Sequence, residues 1–410
     1  MTLIIWGQIM MSNWKIVKLS DVADVIGGGT PSTKNSEYWN GDIPWITPKD
    51  LSGYNEKYIS RGERNISQLG LDNSSSRILP KNSVLMTSRA PIGYVAIAQN
   101  DVCTNQGFKS LILKDNNCPS FFYYLLKHNK NYIENMASGS TFAEISGSQV
   151  KALEFNIPDF ETQKKIAGVL SCLDDKIELN NKINQNLEQQ AQALFKSWFV
   201  DFEPFGGTMP SDWEMGNLLD IANYLNGLAM QKFRPTSNEK GLPVLKIKEL
   251  RQGFCDSNSE LCSNSVKSEY IIKDGDVIFS WSGSLLVDIW CGGICGLNQH
   301  LFKVTSEKYN KWFYYLWTKH YLDYFAFIAA DKATTMGHIK REELEKAEVI
   351  IPNKLYYDKL DTIFSPIYEK IIINRIENKR LAEIRDALLP KLMSGELNVD
   401  NVNIDELKEI

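Results

Sequence analysis

No stretch of this chain is apolar for long enough to cross a bilayer. A spanning helix needs ~20 predominantly apolar residues in a row, and polar side chains interrupt every such window. The opening segment Met1 to Met11 is only mildly apolar, through Leu3-Ile4-Ile5-Trp6. It has no basic segment and no Ala-x-Ala cleavage site, so it does not read as a signal peptide. Met10 or Met11 is an alternative start, and no membrane is expected as a partner. Cysteines number seven, an odd and irregularly spaced set in 410 residues. That argues against a disulfide framework and for a reducing cytoplasm. Cys255, Cys262, Cys291 and Cys295 fall in one region, but their spacing misses the tight knuckle of a zinc site. Small buried hydrophobes are the better reading, and no metal is expected. His128, His300, His320 and His338 form no metalloenzyme pair.

Catalytic signatures are missing too. There is no Asn-Pro-Pro-Tyr or Asp-Pro-Pro-Tyr motif for amino-group methylation, and Glu203-Pro204-Phe205 lacks the leading Asn or Asp. There is no Gly-x-x-x-x-Gly-Lys-Ser/Thr loop. The run Ile26-Gly-Gly-Gly-Thr-Pro31 has no lysine after it and ends in proline, so it does not open a phosphate-binding helix. Charge of one sign is lacking as well: the net is −5. Residues 12–158 carry 15 Lys and Arg against 13 Asp and Glu, and residues 205–352 carry 16 against 18. Any nucleic-acid face must therefore arise by clustering in three dimensions.

What is present is a duplication. Trp14-Lys-Ile-Val-Lys-Leu19 matches Trp213-Glu-Met-Gly-Asn-Leu218 at an offset of 199, kept by Ala23 and Ala222, Pro44 and Pro243, and Leu51 and Leu250. Leu79 to Ser88 matches Ile272 to Trp281 at 193, as does Asn105-Gln106 with Asn298-Gln299. From Ile157-Pro158 and Ile351-Pro352 the offset settles at 194. A period this long means a duplicated domain rather than a solenoid. Within each copy, β-rich runs such as Ser83–Met86, Tyr94–Ala98 and Val277–Ser280 alternate with aromatic helical stretches, Phe121–Leu126 and Trp312–Trp317. The expected class is α+β.

A long helical pattern follows each globular part. Glu161 to about Val200 contains no proline, and its apolar seam runs Ile166, Leu170, Leu173, Ile177, Asn180, Asn184, Leu187, Ala191, Leu194, Trp198. The second seam runs Leu360, Phe364, Ile367, Ile371, Asn374, Asn378, Leu381, Arg385, Leu388, Leu392. Asn180 and Asn374 are related by 194 residues, as are Asn184 and Asn378. A polar residue in an apolar seam costs stability but fixes register and partner. The two helices are therefore expected to lie against each other as an antiparallel coiled coil. At 1.5 Å per residue each spans roughly 60 Å, a spacer holding two similar domains apart in a pseudo-two-fold arrangement. Pro366 is expected to kink the second helix or mark its start.

Two similar but diverged domains at a fixed separation suit a ligand with two similar but unequal sites, and double-stranded DNA is such a ligand. The chain resembles the specificity subunit of type I restriction-modification systems over nearly its whole length. The resemblance rests on Trp14-x4-Leu19-Ser-Asp-Val22, Ile26-Gly-Gly-Gly-Thr-Pro31-Ser, Tyr38-Trp-Asn-Gly-Asp-Ile-Pro-Trp45-Ile-Thr-Pro and Asn105-Gln-Gly. Ile157-Pro158 before the helix and Leu194-Phe-Lys-Ser-Trp-Phe-Val-Asp-Phe-Glu-Pro204 after it complete the set. The second copy departs from the pattern, with Asn226-Gly-Leu where the first has the Gly-Thr-Pro segment.

The resemblance implies a first target recognition domain over residues 1–158, a helical spacer over 159–204, a second recognition domain over 205–352, and a second spacer with a tail over 353–410. It implies a non-catalytic subunit whose domains each read half of a bipartite, asymmetric DNA site. The helices would set the gap and bind two methyltransferase subunits, which carry S-adenosylmethionine, a cofactor this chain itself would not bind. Motor-nuclease subunits would join for restriction. A catalytic chain and a duplicated-domain protein-binding scaffold without DNA recognition are the competing readings.

Base edges are read by Arg, Lys, Asn and Gln with help from Ser and Thr, and phosphates are held by Lys, Arg, Ser, Thr and backbone amides. The candidates in the first domain are Lys34, Lys49, Ser88, Arg89, Asn105, Gln106, Lys109, Ser140 and Thr141. Those in the second are Lys246, Lys248, Ser280, Trp281, Asn298, Gln299, His300, Thr334, Thr335 and Lys340. Because both copies keep Asn-Gln, that pair is expected to serve structure more than specificity.

Overall fold

The computed structural model describes residues 13–138, 143–331 and 339–403. It divides into two compact units, Met1–Glu178 with Leu381–Ile410, and Leu179–Arg380. Each is α+β.

In the first unit a five-stranded sheet runs in the order Ala23–Gly27, Lys109–Leu113, Val84–Ser88, Ile92–Ala98, Tyr58–Ile59. Val84–Ser88 is buried at every position, as expected for an apolar run sandwiched on both faces. A three-stranded sheet places Trp39–Ile46 between Arg64–Ile66 and Cys103–Thr104. Lys15–Lys18 and Glu154–Ile157 close the unit as an antiparallel ribbon.

The second unit repeats this plan with four-stranded sheets. One runs Asn223–Asn226, Leu301–Thr305, Val277–Ser280, Leu286–Ile289, the other Leu261–Cys262, Leu242–Leu245, Cys295–Leu297, Ile271–Ile272. Its ribbon pairs Glu214 with Ile351, as the first pairs Lys15 with Ile157. The aromatic stretches form helices at Pro119–His128 and Lys311–His320, with a proline in the first turn of the former. Phe121, Phe122, Trp312 and Phe313 are fully buried, each stabilising its core by ~2 to 3 kcal/mol relative to exposure.

The long helices are Phe160–Phe199 and Lys354–Met393, 40 residues each and 194 residues apart. The second passes through Pro366 without interruption, so that proline neither begins nor ends it. Within the second unit the helices run antiparallel. Asn180 faces Asn378 and Glu377, while Asn184 faces Asn374. Adding 194 to Asn180 and Asn184 of the first helix returns Asn374 and Asn378 of the second.

The apolar sides of the helices, seam residues and their neighbours alike, do more than hold helix to helix. Ile166, Val169 and Leu170 enter the core of the first unit, and Leu388, Leu392 and Met393 from the far end of the second helix join them. In the second unit Ala191, Phe195 and Phe199 meet Leu360, Phe364 and Ile371. Each core is thus built from a globular domain and one half of each helix.

Candidate nucleic-acid interface

Both units build the same loop crossing. In the first, Gly28 lies over the turn at Asn105: a Cβ there would stand 1.9 Å from the Asn105 carbonyl oxygen. In the second, Gly227 lies over Asn298 with the corresponding distance 2.1 Å. Only glycine permits such close backbone approach. The hydrogen bonds repeat as well. Asn105 N donates to Ile46 O, Gly29 N to Thr104 O and Phe108 N to Asn105 O. Their counterparts are Asn298 N to Leu245 O, Leu228 N to Leu297 O and Leu301 N to Asn298 O. The second copy, though it lacks the Gly-Thr-Pro segment, makes the same crossing through Asn226-Gly227-Leu228.

This geometry explains the shared asparagine. The Asn105 side chain accepts from Gly107 N at 2.8 Å, and that of Asn298 from His300 N at 3.2 Å. Both are turn formers of the Asx type, and Asn298 is buried. Ser88 and Ser280 are also fully buried. They end strands whose residues all face the interior, so neither hydroxyl is presented to a ligand. The Ser280 hydroxyl donates to Ser282 O at 3.2 Å, and that of Ser88 finds no partner. Asn298, Ser88 and Ser280 thus belong to the scaffold rather than the surface.

The remaining described candidates gather around the crossing. In the first unit Thr30 donates to the Gln106 side chain, and Lys34 is exposed in the same loop. In the second, Trp281 Nε1 donates to Asn226 Oδ1 at 3.0 Å, and the Ser282 hydroxyl lies 3.0 Å from His300 Nδ1. Gln299 Nε2 sits 3.4 Å from His300 Nε2, leaving Gln299 Oε1 buried and unpartnered. Lys340 is exposed ahead of the short helix Arg341–Glu345. Ser140, Thr141, Thr334 and Thr335, like His338, lie outside the described residues.

Most candidate cations are already matched by carboxylates. Lys49 pairs with Glu63 at 2.8 Å, and its counterpart Lys248 pairs with Asp256 at 3.2 Å. The hydrogen bond that Lys49 donates to Glu63 holds its ammonium above the ordinary pKa. Lys246 meets Glu260 at 2.6 Å and keeps that carboxyl below its usual range. Arg89 and Lys109 share Glu144 at 3.5 and 3.6 Å. A cleft of about 630 Å³ beside Arg89 is lined also by Glu134 and Glu144. Carboxylates outnumber cations there, which disfavours a phosphate. Exposed pairs of this kind contribute little to stability, so these lysines are held ready at little cost rather than locked.

Sequence reasoning passed over three groups on this rim. Arg64 places its guanidinium carbon 3.6 Å from the centroid of the Trp39 ring. Arg234 approaches Glu260 at 3.8 Å, and Asn226 receives Trp281. Arg64 and Glu260 were detectable only through strand register. Trp45 pairs with Arg64, and Val244, which is Trp45 plus 199, donates its N–H to Glu260 O at 2.7 Å.

Under the domains, half-buried ionic clamps tie each helical half to its unit. Arg375 donates to Asp288 at 2.8 Å, to Ile289 O at 3.0 Å and to Glu188 at 2.7 Å, joining both long helices to a strand. Burial works against its charge, but Asp288 and Glu188 more than offset this and hold its pKa above the ordinary arginine range. The first unit uses different residues: Arg385 to Asp174 at 2.7 Å, Tyr124 to Asp174 at 2.6 Å, and buried Lys57 to Asp175 at 2.9 Å. All seven cysteines are free. No group of three or more metal-ligating side chains occurs among the described residues, and no described helix is long and apolar enough to cross a membrane.

A family model described as the type I restriction modification DNA specificity domain matches the chain twice, over residues 11–189 and 210–385. The type I restriction enzyme MjaIX specificity subunit of Methanocaldococcus jannaschii is 40% identical, over 95% of each chain. The HindI specificity subunit of Haemophilus influenzae is 27% identical over 94% of this chain and all of its own. The crystal structure of a type I restriction-modification S subunit from M. genitalium shares the fold with a TM-score of 0.59 at 17% identity, covering 93% of this chain and 96% of that one. The family model falls once on each copy of the duplicated domain and its helix, a relative of 40% identity spans nearly the whole chain, and the chain belongs to the family of type I restriction-modification specificity subunits.

Proposed function

We propose that this chain is the non-catalytic subunit that gives a type I restriction-modification enzyme its DNA sequence specificity, each unit reading one half of a bipartite, asymmetric double-stranded site. The helical pair sets the gap and docks two methyltransferase subunits, and motor-nuclease subunits join for restriction. Methyl transfer and S-adenosylmethionine binding fall to the methyltransferase partner, and the complex works in the cytoplasm. The observation that carries this reading is the duplicated loop crossing. One backbone frame is kept in both units, while the side chains presented around it differ. A shared frame with unlike side chains suits two half-sites of unlike sequence.

The test is domain exchange. The chain would be co-expressed with its cognate methyltransferase and the methylated motif mapped by sequencing. Replacing residues 12–158 by those of a relative should change one half of the motif and leave the other. A change in both halves, or no bipartite motif at all, would overturn the reading.

A further inference from the structure

Arg64 is exposed and makes no ion pair among the described residues, unlike Lys49 beside it. Its cation rests on the ring of Trp39. Trp39 packs edge-to-face on Trp45 at 5.0 Å. The two indoles also hold the neighbouring loop, Trp39 Nε1 donating to Ser32 O at 3.2 Å and Trp45 Nε1 to Gly29 O at 2.9 Å. Arg64 is thereby fixed next to the loop that carries Thr30 and Lys34, and next to the Lys49–Glu63 pair. The matching ladder position in the second unit is Glu260, bound by Lys246 and Arg234. One rung thus carries opposite charge in the two copies.

We propose that Arg64 reads a guanine in the half-site of the first unit, and that Glu260 at the same rung denies the second unit that base. The proposal rests on the DNA-reading function above. Stacking on the indole uses the face of the guanidinium and leaves its N–H edge free. Guanine O6 and N7 present two acceptors side by side in the major groove, the pattern a guanidinium fork matches. Trp39 pre-organises the side chain, so less rotamer freedom is lost on binding. A carboxylate at that rung repels the same acceptors and the phosphates around them.

The experiment uses the full chain co-expressed with its cognate methyltransferase, comparing the wild type with Arg64→Ala and Arg64→Lys by genome-wide methylation sequencing. Arg64→Ala should relax one guanine in the half-site that exchange of residues 12–158 alters, with gap and second half unchanged. Methylation rates at wild-type sites should fall roughly 5- to 150-fold, as expected for one bidentate base contact. Arg64→Lys keeps the charge over Trp39 but not the fork, and should relax the same position. Should the alanine variant fail to accumulate, the lysine variant decides. An unchanged motif, or a uniform loss across all sequences with no position relaxed, would overturn the proposal. A wild type without any bipartite motif would instead overturn the DNA-reading function on which it rests.

Discussion

The two units keep their backbone crossing and change many of the side chains around it. Gly28 over Asn105 and Gly227 over Asn298 are the same contact, supported by matching hydrogen bonds. At its rim, Thr30 with Gln106 stands against Asn226 with Trp281, and Arg64 against Glu260. The clamps below diverge as well. Arg375 bridges Glu188 and Asp288 in one unit, and Arg385 and Lys57 reach Asp174 and Asp175 in the other. Duplication has preserved what the backbone demands and released the rest. Residues that satisfy main-chain groups in a fixed turn have few substitutes, whereas rim side chains answer to a ligand that differs between copies.

The largest expected effect breaks the shared part. Gly28→Ala and Gly227→Ala each drive a methyl into a carbonyl that cannot retreat, and each should cost about 3 kcal/mol. Hydrogen exchange should show protection lost around the altered crossing alone, and methylation mapping should show one half of the motif lost per variant. Equal disturbance of both units would mean that the crossings are not independent.

Next comes a clamp found in one unit only. Arg375→Met strands Glu188 and Asp288 and should cost about 3 kcal/mol, read by thermal unfolding of the second unit. If the clamp also holds the helix geometry, the variant should methylate sites whose gap differs from that of the wild type, an effect a merely local loss of stability would not produce.

A smaller effect is expected at the asparagines. Asn374→Leu leaves the Asn184 carbonyl buried without its 2.8 Å donor and should cost about 1 to 3 kcal/mol. Changing Asn184 and Asn374 together to Leu should recover most of that loss. An additive double variant, measured by denaturant unfolding, would show that the two side chains act separately.

Lys49→Gln and Lys248→Gln should leave stability within about 0.5 kcal/mol. Each should flatten the salt dependence of DNA binding by about one charge if its lysine turns from carboxylate to phosphate, a slope measured on the complex with methyltransferase.

The smallest effect concerns pH. His320 is exposed on one side, but the Phe195 and Trp317 rings packed against it partly desolvate the imidazole and lower its pKa from the ordinary 6.5. The unfolded chain therefore takes up this proton more readily, and the second unit should lose stability as pH falls below that value. His320→Phe should shrink the loss between pH 7 and 5.5 in thermal unfolding, whereas an unchanged pH profile would mean that this histidine contributes nothing to it.

Much of the fold was legible because long helices repeat their chemistry. The 194-residue offset gave Asn180 and Asn374 equivalent places in the two seams, and it relates both ends of the two helices. The α+β class followed from short β-branched runs broken by turn residues. Other features were hidden for physical reasons. A heptad pattern tells which face is apolar but not what covers it, so nothing marked Leu170 and Leu392 as partners in a globular core. Ser88 and Ser280 looked available because serine suits surfaces and buried strand ends alike. Arg64 and Glu260 escaped because the offset drifts from 199 to 193 between Pro44 and Leu79. Strand register, unlike spacing, is set by pairing across the sheet. Asn105 was read both as a ligand contact and as a structural residue, and the hydrogen bond its side chain accepts from Gly107 N supports the second.

The closing of the first core by Leu388, Leu392 and Val399 also sets an order in time. The ribosome delivers Leu170 about 220 residues before Leu392, an interval of roughly 10 to 40 s. The unit whose domain is made first is therefore the last to be completed. Until then the apolar flank of the nascent helix around Ile166 and Leu170 lacks part of its cover, a window in which chaperones would engage it and premature release would leave it exposed.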